Sequence, residues 1–433
     1  MKETAIEMNK ILKEKSDIFY FMLSDFGKNI YMPKGIIVQS AEAKEKATKY
    51  NATIGIAESK KMPIFLNSLN KYFNILKPDQ IFPYAPASGV QELRKKWKNK
   101  ILLENSLIKS QDMISMPVVT NGLTHGIMLF ADLFLGENDE IIIPDKLWEN
   151  YNLMFEERYK ARVVNYPLFN KKSTGFNVDG LDQAIANSKK DKIVLLFNFP
   201  NNPTGYSPTL KEVDEITAVI KKRADDGKKI LVACDDAYYG LFYEDDLIDG
   251  SIFSRMTGLH KNVAALKIDG FSKEDYAWGL RIGFITFSDF YKNADAYAVL
   301  EKKTTACIRT SISNCSLLSQ SIFLDIMGGG EVYVKEKIEK FEILKKRANK
   351  VKEIVYKDKY KDLWEVYPFN SGYFMCIKPK GTTAEKVRAS ALEKYGVGTI
   401  ALGEDLRIAF SSVEYEELDD LFEIIAGVIR ELK

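Results

Sequence analysis

The sequence predicts an α/β fold built on a mostly parallel sheet. Seven short runs rich in Val, Ile and Leu are typical of buried strands, and they cover residues 117–120, 140–144, 161–166, 193–198, 229–234, 263–268 and 282–287. Amphipathic segments separate several of these runs, and this strand and helix alternation continues over about 170 residues. In such a sheet, functional side chains are expected just beyond the carboxyl ends of the strands.

The clearest helix of this alternation follows Gly205. Ser207 is a plausible N-cap, and Pro208 suits the first helical position. Apolar residues then recur at spacings of three and four, and Gly227 ends the segment.

The two ends of the chain have a different character from the middle. Residues 1–50 are polar, and their composition predicts helices. The segment 335–354 predicts a long charged helix, followed by strands at 372–377 and 406–410 and an amphipathic helix from about residue 415. The C-terminal part is therefore expected to form a smaller α+β domain.

Composition and charge exclude several functional classes. The 433 residues are 46% apolar and 28% charged, with a net charge of +2, which does not favour binding to nucleic acid or to an anionic membrane. The first twenty residues lack a signal-peptide pattern, and no apolar run approaches the roughly 18 residues of a membrane helix, so a cytoplasmic protein is expected. The two histidines lie far apart and the four cysteines match no zinc pattern, so no metal site is expected.

Several motifs follow the predicted strands at the points where those strands end. They read N-G-L-T at 121–124, N-P-T-G at 202–205, D-D-A-Y at 235–238, S-K at 272–273 and G-L-R-I-G at 279–283. Each motif is weak evidence by itself, because N-P-T-G alone is a good turn sequence. Their order and their common position at one edge of a sheet indicate a single site.

This set of motifs resembles the fold-type I pyridoxal-phosphate-dependent aminotransferases of class I/II, of the aspartate and aromatic type, from about residue 51 to 410. The resemblance implies a large cofactor-binding domain over 62–330. It implies a smaller α+β domain built from both chain ends, with the N-terminal arm in 1–61 and the remainder in 331–433. It also implies a homodimer with shared active sites.

The resemblance assigns the cofactor residues one by one. Lys273 would form the Schiff base and move the α-proton, and Asp235 would hold the pyridine nitrogen protonated. Arg281 would bind the phosphate bidentately. Tyr238 and Asn202 would hydrogen-bond the 3-oxygen of the ring. The remaining cofactor contacts would be Gly122, Leu123, Thr124 and Ser272 at the phosphate, Trp148 stacked on the ring, and Tyr84 reaching the phosphate of the neighbouring subunit.

Two features need separate comment: the choice between two adjacent aspartates, and a glycine where the family often has a serine. Position alone does not choose between Asp235 and Asp236, and the family pattern D-x-A-Y favours Asp235, which leaves Asp236 solvated or structural. Many members of the family carry a phosphate-binding Ser three residues before the lysine, where this chain has Gly270. Ser272 or backbone N–H groups would then supply the missing contact.

The same resemblance assigns the substrate contacts. Arg407 would bind the α-carboxylate, because a planar guanidinium fork suits a carboxylate, and Gly55 would belong to a covering loop. Arg309 resembles an arginine that the partner subunit donates to a distal carboxylate. Lys302 and Lys303 are alternative cations, and a structural role for Arg309 is equally open.

The implied function is transfer of an amino group from an L-amino acid, acidic or aromatic, to a 2-oxo acid such as 2-oxoglutarate, by ping-pong chemistry. A PLP-dependent lyase or decarboxylase, such as a C–S lyase, is the alternative, because fold and cofactor do not determine the reaction. A non-catalytic regulator is disfavoured by the intact Lys273 and by an N-terminal segment too short for a DNA-binding domain. The sequence does not identify the donor or the acceptor.

Overall fold

The computed structural model describes residues 2–15, 20–21, 23–30, 35–248, 250–328 and 330–433. At its centre lies a sheet of seven strands, whose order across the sheet is Val118–Thr120, Gly283–Asp289, Val263–Gly270, Lys229–Asp235, Lys192–Asn198, Glu140–Pro144 and Arg162–Tyr166.

This central sheet confirms the predicted α/β fold class. Each predicted apolar run corresponds to one strand, and the ends differ by at most two residues. All neighbouring pairs are parallel except those of Gly283–Asp289, which runs antiparallel to both of its neighbours. Burial of the central strands on both faces explains why they are almost continuously apolar instead of alternating.

Helices cover the sheet and connect it to the chain ends. Those of ten or more residues are Glu3–Lys15, Ile36–Lys46, Gln91–Glu104, Leu123–Phe134, Val178–Asn187, Leu210–Asp225, Ala294–Ser311, Leu317–Ile326, Gly330–Val355, Ala384–Tyr395 and Leu418–Leu432. Within the described ranges, none of the helices is both long enough and apolar enough to cross a lipid bilayer.

The helix after Gly205 begins later than the sequence predicts. Its N-cap is Thr209 and not Ser207, because Thr209 and Glu212 form a reciprocal capping box, with Thr209 N donating to Glu212 Oε2 at 2.8 Å. Ser207 is instead buried against the C-terminal part of the chain. Its hydroxyl lies 2.8 Å from that of Ser371, and its backbone N donates to Asn370.

Both ends of the chain contribute to a second structural unit. Its four-stranded antiparallel sheet has the order Trp364–Val366, Phe374–Pro379, Asp405–Ala409 and Ile400–Leu402. The N-terminal strand Tyr50–Asn51 pairs in parallel with Val397–Gly398. This pairing agrees with a smaller α+β unit built from both chain ends, and the boundaries at residues 61 and 330 stay predictions.

Candidate active site

A cavity of about 690 Å³ lies beyond the carboxyl ends of the central strands. The N-terminal helix Ile36–Lys46, the segment after Tyr50–Asn51 and the C-terminal strands complete its walls. Most of the side chains that the sequence assigns to one site meet here. The predicted site residues that line the cavity are Gly55, Leu123, Thr124, Trp148, Asn202, Asp235, Tyr238, Lys273, Arg281 and Arg407.

Asp235 is a buried carboxylate at the end of the strand Lys229–Asp235. Its Oδ1 accepts a hydrogen bond from Ala237 N at 3.1 Å, and its Oδ2 accepts one from the hydroxyl of Tyr151. Burial raises the pKa of Asp235 to about 6, although the Tyr151 hydrogen bond and the charge of Lys273 act in the opposite direction. The carboxylate is therefore held in one orientation and can pair with a cationic group placed in the cavity.

Lys273 lies in the short helix Phe271–Glu274, which follows the strand Val263–Gly270. Its Nζ is 5.1 Å from the centre of the Tyr238 ring, and its backbone carbonyl accepts from the hydroxyl of Tyr373 at 3.2 Å. Burial, together with the nearby charge of Arg281, lowers the pKa of Lys273 to about 8, although Asp235 acts in the opposite direction. A buried amine with this pKa is available as a nucleophile near neutral pH.

Gly122 and Arg281 lie close together at the start of a helix, and Ser272 precedes Lys273 in the chain. Gly122 precedes the helix Leu123–Phe134 with φ = +79°, and a Cβ at this position would lie 2.3 Å from Arg281 Nη2. The buried hydroxyl of Ser272 has no hydrogen-bond partner within the described chain. A helix N-terminus, a guanidinium and a free hydroxyl together are typical of phosphate recognition.

Gly270 shows why this chain has no serine three residues before Lys273. A Cβ at Gly270 would lie 2.5 Å from the carbonyl oxygen of Ile282 and 2.6 Å from Gly283 Cα. These backbone atoms belong to the adjacent antiparallel connection and strand, and they leave no space for a side chain. This backbone therefore has no room for a hydroxyl side chain at position 270, and Ser272 is the hydroxyl-bearing residue that directly precedes the lysine.

Arg407 presents a second guanidinium to the cavity, from the strand Asp405–Ala409. Its Nη1 donates to Asn202 Oδ1 and its Nη2 to Thr53 O, each at 3.0 Å, and its Cζ lies 4.3 Å from the centre of the Phe374 ring. The Nε of Arg407 is buried and has no acceptor among the residues described. This arrangement leaves a donor free for a carboxylate.

Tyr238, Trp148 and Gly55 supply the remaining walls. Tyr238 packs edge-on against Tyr373 and Phe374, and burial raises the pKa of its phenol. A Cβ at Gly55 would lie 3.9 Å from the Tyr238 hydroxyl, so the loop passes close to this ring. Trp148 lines the same cavity and meets Tyr151 edge-on.

Gly122 and Ser272 adjoin lining residues in the chain without lining the cavity themselves, whereas Tyr84 and Arg309 lie on the exposed surface. Tyr84 is 88% exposed. Arg309, at the end of the helix Ala294–Ser311, is exposed and donates to the hydroxyl of Ser313 at 2.6 Å. Lys302 and Lys303 belong to the same helix and do not line the cavity either.

Asp236 faces away from the cavity, on the opposite side of the chain from Asp235. It is buried and forms an ion pair with Lys267 at 2.6 Å, and Lys267 also lies 2.8 Å from Asp269. The burial of Asp236 and its ion pair with Lys267 agree with the expected structural role and exclude the alternative of a solvated carboxylate.

Tyr151 and Asn198 are functional candidates whose contacts with Asp235 the sequence did not predict, although Tyr151, with Trp148 and Phe369, is expected from the sequence as one wall of a pocket that could admit an aromatic ring. Tyr151 contacts the Asp235 carboxylate, and Asn198 Nδ2 donates to the backbone oxygen of Asp235 at 3.0 Å while its Oδ1 accepts from Asn202 N. A polar residue at the end of the predicted strand 193–198 was the available signal for Asn198. Nothing local indicated that Tyr151 would reach a carboxylate 84 residues away.

Across the described ranges, no three His, Cys, Asp or Glu side chains come together in a way that could hold a metal ion.

Comparison with known proteins gives a family match over most of the chain. The model of the family described as aminotransferase class I and II matches residues 55–425. A probable aspartate aminotransferase of Methanocaldococcus jannaschii is 30% identical over 209 residues, which are 48% of this chain and 49% of that protein. A probable aspartate/prephenate aminotransferase of Aquifex aeolicus is 28% identical over 52% of this chain and 53% of its own length. The chain thus spans about half the length of these relatives.

Solved structures extend the similarity over nearly the whole chain. The crystal structure of an aminotransferase from Anaerococcus prevotii superposes with a TM-score of 0.83 at 25% identity, covering 94% of this chain and 98% of that one. An aspartate aminotransferase of Thermus thermophilus, solved with maleate, superposes with a TM-score of 0.75 over 94% of this chain and 99% of its own at 18% identity, and so shows the shared fold.

Proposed function

Because the chain belongs to the aminotransferase class I and II family, whose members depend on pyridoxal phosphate, we propose that it transfers amino groups between an L-amino acid and a 2-oxo acid. An acidic or aromatic amino acid is the proposed donor, and 2-oxoglutarate is the proposed acceptor. The observation that carries the proposal is the meeting of Lys273, Asp235 and Arg407 in one cavity from three separate parts of the chain.

The residues of the cavity fit pyridoxal phosphate. Gly122, Ser272 and Arg281 would hold the phosphate, because the buried Ser272 hydroxyl lacks a partner within the described chain and Gly122 leaves room for the Arg281 guanidinium. Asp235 would hold the proton on the pyridine nitrogen, and Trp148 would cover the ring. Asn202 and Tyr238 would contact its 3-oxygen. When bound, this cofactor withdraws electrons from the substrate and carries the amino group between half-reactions.

Lys273 would attach the cofactor and then move the α-proton of the substrate. Its pKa of about 8 leaves a useful fraction of neutral amine near neutral pH, which both nucleophilic attack and proton removal require. The carboxylate of Asp235, oriented by Tyr151 and Ala237, would keep a positive charge at the pyridine nitrogen.

Arg407 would orient every amino-acid substrate through its α-carboxylate. Asn202 and Thr53 already hold two of its nitrogens, so the guanidinium is positioned before the substrate arrives. A preorganised guanidinium places the α-carbon next to Lys273 at less entropic cost than a mobile side chain would.

We further propose a homodimer in which Tyr84 completes the partner's phosphate site. The strongly exposed Tyr84 and Phe82 support this proposal, because neighbouring large apolar side chains in water are typical of an interface. A strictly monomeric, fully active enzyme in analytical ultracentrifugation would contradict it.

A panel of amino donors tested with 2-oxoglutarate and with pyruvate tests the proposed reaction. The expected result is formation of the new amino acid in amounts equal to the 2-oxo acid formed from the donor. Pyruvate or ammonia released without any oxo-acid acceptor would instead establish a lyase. Borohydride treatment followed by peptide mass spectrometry should locate the cofactor on Lys273, and attachment to Lys267 would overturn the assignment.

A further inference from the structure

We infer that Lys44 is a specificity-determining residue, which binds the distal negative charge of an acidic amino-acid substrate from within the same chain. This inference rests on the proposed transamination and narrows its donor class. Lys44 lies on the N-terminal helix Ile36–Lys46 and lines the same cavity as Arg407 and Lys273.

One face of this helix forms part of the cavity wall. Ile36, Ser40 and Lys44 follow one another at intervals of four residues and all line the cavity, together with Ala41. Residues at this interval lie above one another on a helix, so Lys44 continues a stripe that begins with Ile36. The side chain is exposed, which places it towards the solvent side of the cavity.

The other faces of the helix are attached to the C-terminal unit, and this attachment determines which residues face the cavity. Gln39 donates to Ala401 O at 3.0 Å and accepts from Ala401 N at 2.8 Å. Glu42 pairs with Arg388 at 2.9 Å and also with Lys46 at 3.0 Å. Rotation of the helix would break the contacts with Ala401 and Arg388, so Lys44 stays on the cavity side.

Lys44 is a cation without a partner in the described part of the chain. Its Nζ forms no hydrogen bond or ion pair there, whereas its neighbour Lys46 is bound to Glu42. Glu58 also lines the cavity, but it makes no ion pair with Lys44. A long flexible lysine can therefore turn towards a negatively charged ligand without giving up an existing contact.

The roles proposed for the other cations that line the cavity leave Lys44 available for a second carboxylate. The proposed function assigns Arg281 to the phosphate, Arg407 to the α-carboxylate and Asp235 to the pyridine nitrogen, and it uses Lys273 in the reaction. Among the described residues that line the cavity, Lys44 is then the cationic side chain for which no anionic partner has been proposed. The apolar walls formed by Ile36, Ile54 and Ile56 suit the methylene groups between two carboxylates.

Arg309 is the competing candidate for the distal charge. It is exposed, donates to Ser313 and does not line the cavity of its own chain, so it would have to act on a partner subunit. Lys44 needs no partner subunit, and this difference separates the two candidates experimentally.

The first test measures binding and does not depend on turnover. Isothermal titration of the purified protein with glutarate and with butyrate compares a dicarboxylate with a monocarboxylate that lacks the distal charge. We expect wild type to bind glutarate more tightly than butyrate. In Lys44→Gln the ratio of the butyrate Kd to the glutarate Kd should be about tenfold lower than in wild type, a loss that is typical of one charged hydrogen bond. Lys46→Gln is the matched control and should keep the wild-type preference. Equal preference in Lys44→Gln and wild type would overturn the inference.

The second test repeats the comparison with reacting substrates. The ratio of kcat/KM for glutamate to that for alanine should fall about tenfold in Lys44→Gln and stay at the wild-type value in Lys46→Gln. If this ratio falls in Arg309→Ala and not in Lys44→Gln, Arg309 binds the distal carboxylate instead of Lys44. If wild type transaminates no donor but still prefers glutarate through Lys44, the proposed function fails and the binding inference stands.

Discussion

Tyr151→Phe should impair the reaction because it removes a hydrogen bond from the Asp235 carboxylate. In the structure the Tyr151 hydroxyl donates to Asp235 Oδ2, and both groups are buried. A hydrogen bond to a charged group contributes about 1.5–3 kcal/mol. Since one pKa unit corresponds to about 1.4 kcal/mol, losing this bond should raise the pKa of Asp235 by about one to two units.

The pKa of Asp235 is about 6 with the hydrogen bond in place. Without it, a pKa of about 7–8 follows from the same conversion. In the cofactor-free protein at pH 7, the ionised fraction of Asp235 would then fall from about nine-tenths to about one half or less. Because only the carboxylate can hold a proton on the pyridine nitrogen, and the pyridinium itself favours the ionised carboxylate, activity should fall mainly on the acidic side of the pH profile, by up to about tenfold.

The assay is kcat/KM for the best amino donor between pH 5.5 and 9, with folding checked by circular dichroism. The acidic limb of the profile should move upward by at least about one unit in Tyr151→Phe. Tyr166→Phe is a matched control, because Tyr166 is also buried and its hydroxyl has no partner in the described chain. The reasoning is refuted if the acidic limb stays in place in Tyr151→Phe, or moves equally in the control.

Three further predictions follow from the same geometry. Gly122→Ala should raise the Kd for pyridoxal phosphate at least about tenfold in equilibrium dialysis, because its Cβ would lie 2.3 Å from Arg281 Nη2 at a φ of +79°. Gly227→Ala, with φ = +97° and open space around its Cβ, should bind the cofactor normally. The rate at which Lys273 captures the cofactor should rise with pH to a half-maximum at about 8, the pKa at which its amine becomes neutral, and a rate independent of pH would contradict this. Lys267→Met should lower the free energy of unfolding in urea by about 3–5 kcal/mol, because Asp236 and Asp269 would lose their buried cation, and an unchanged midpoint would exclude this role for Lys267.

Local patterns in the sequence were sufficient to predict the strands of the central sheet and the types of residue that lie at its edge. Each strand needed only a run of apolar residues, since burial on both faces of a parallel sheet leaves that simple signature. The Ser207 prediction failed for a different reason. Thr209 and Glu212 compete for the same helix start, and contacts of Ser207 with Asn370 and Ser371, distant in sequence, decide the outcome.

The tertiary structure alone decided which groups act on one another. The family pattern favours Asp235 over the adjacent Asp236, but only the packing of the sheet shows that Asp236 is buried against Lys267. Tyr151 and Lys44 join the site through contacts between segments far apart in the chain. Periodicity and motif spacing report the short-range preferences of a segment, whereas orientation and charge pairing depend on its distant neighbours, which only the folded chain brings together.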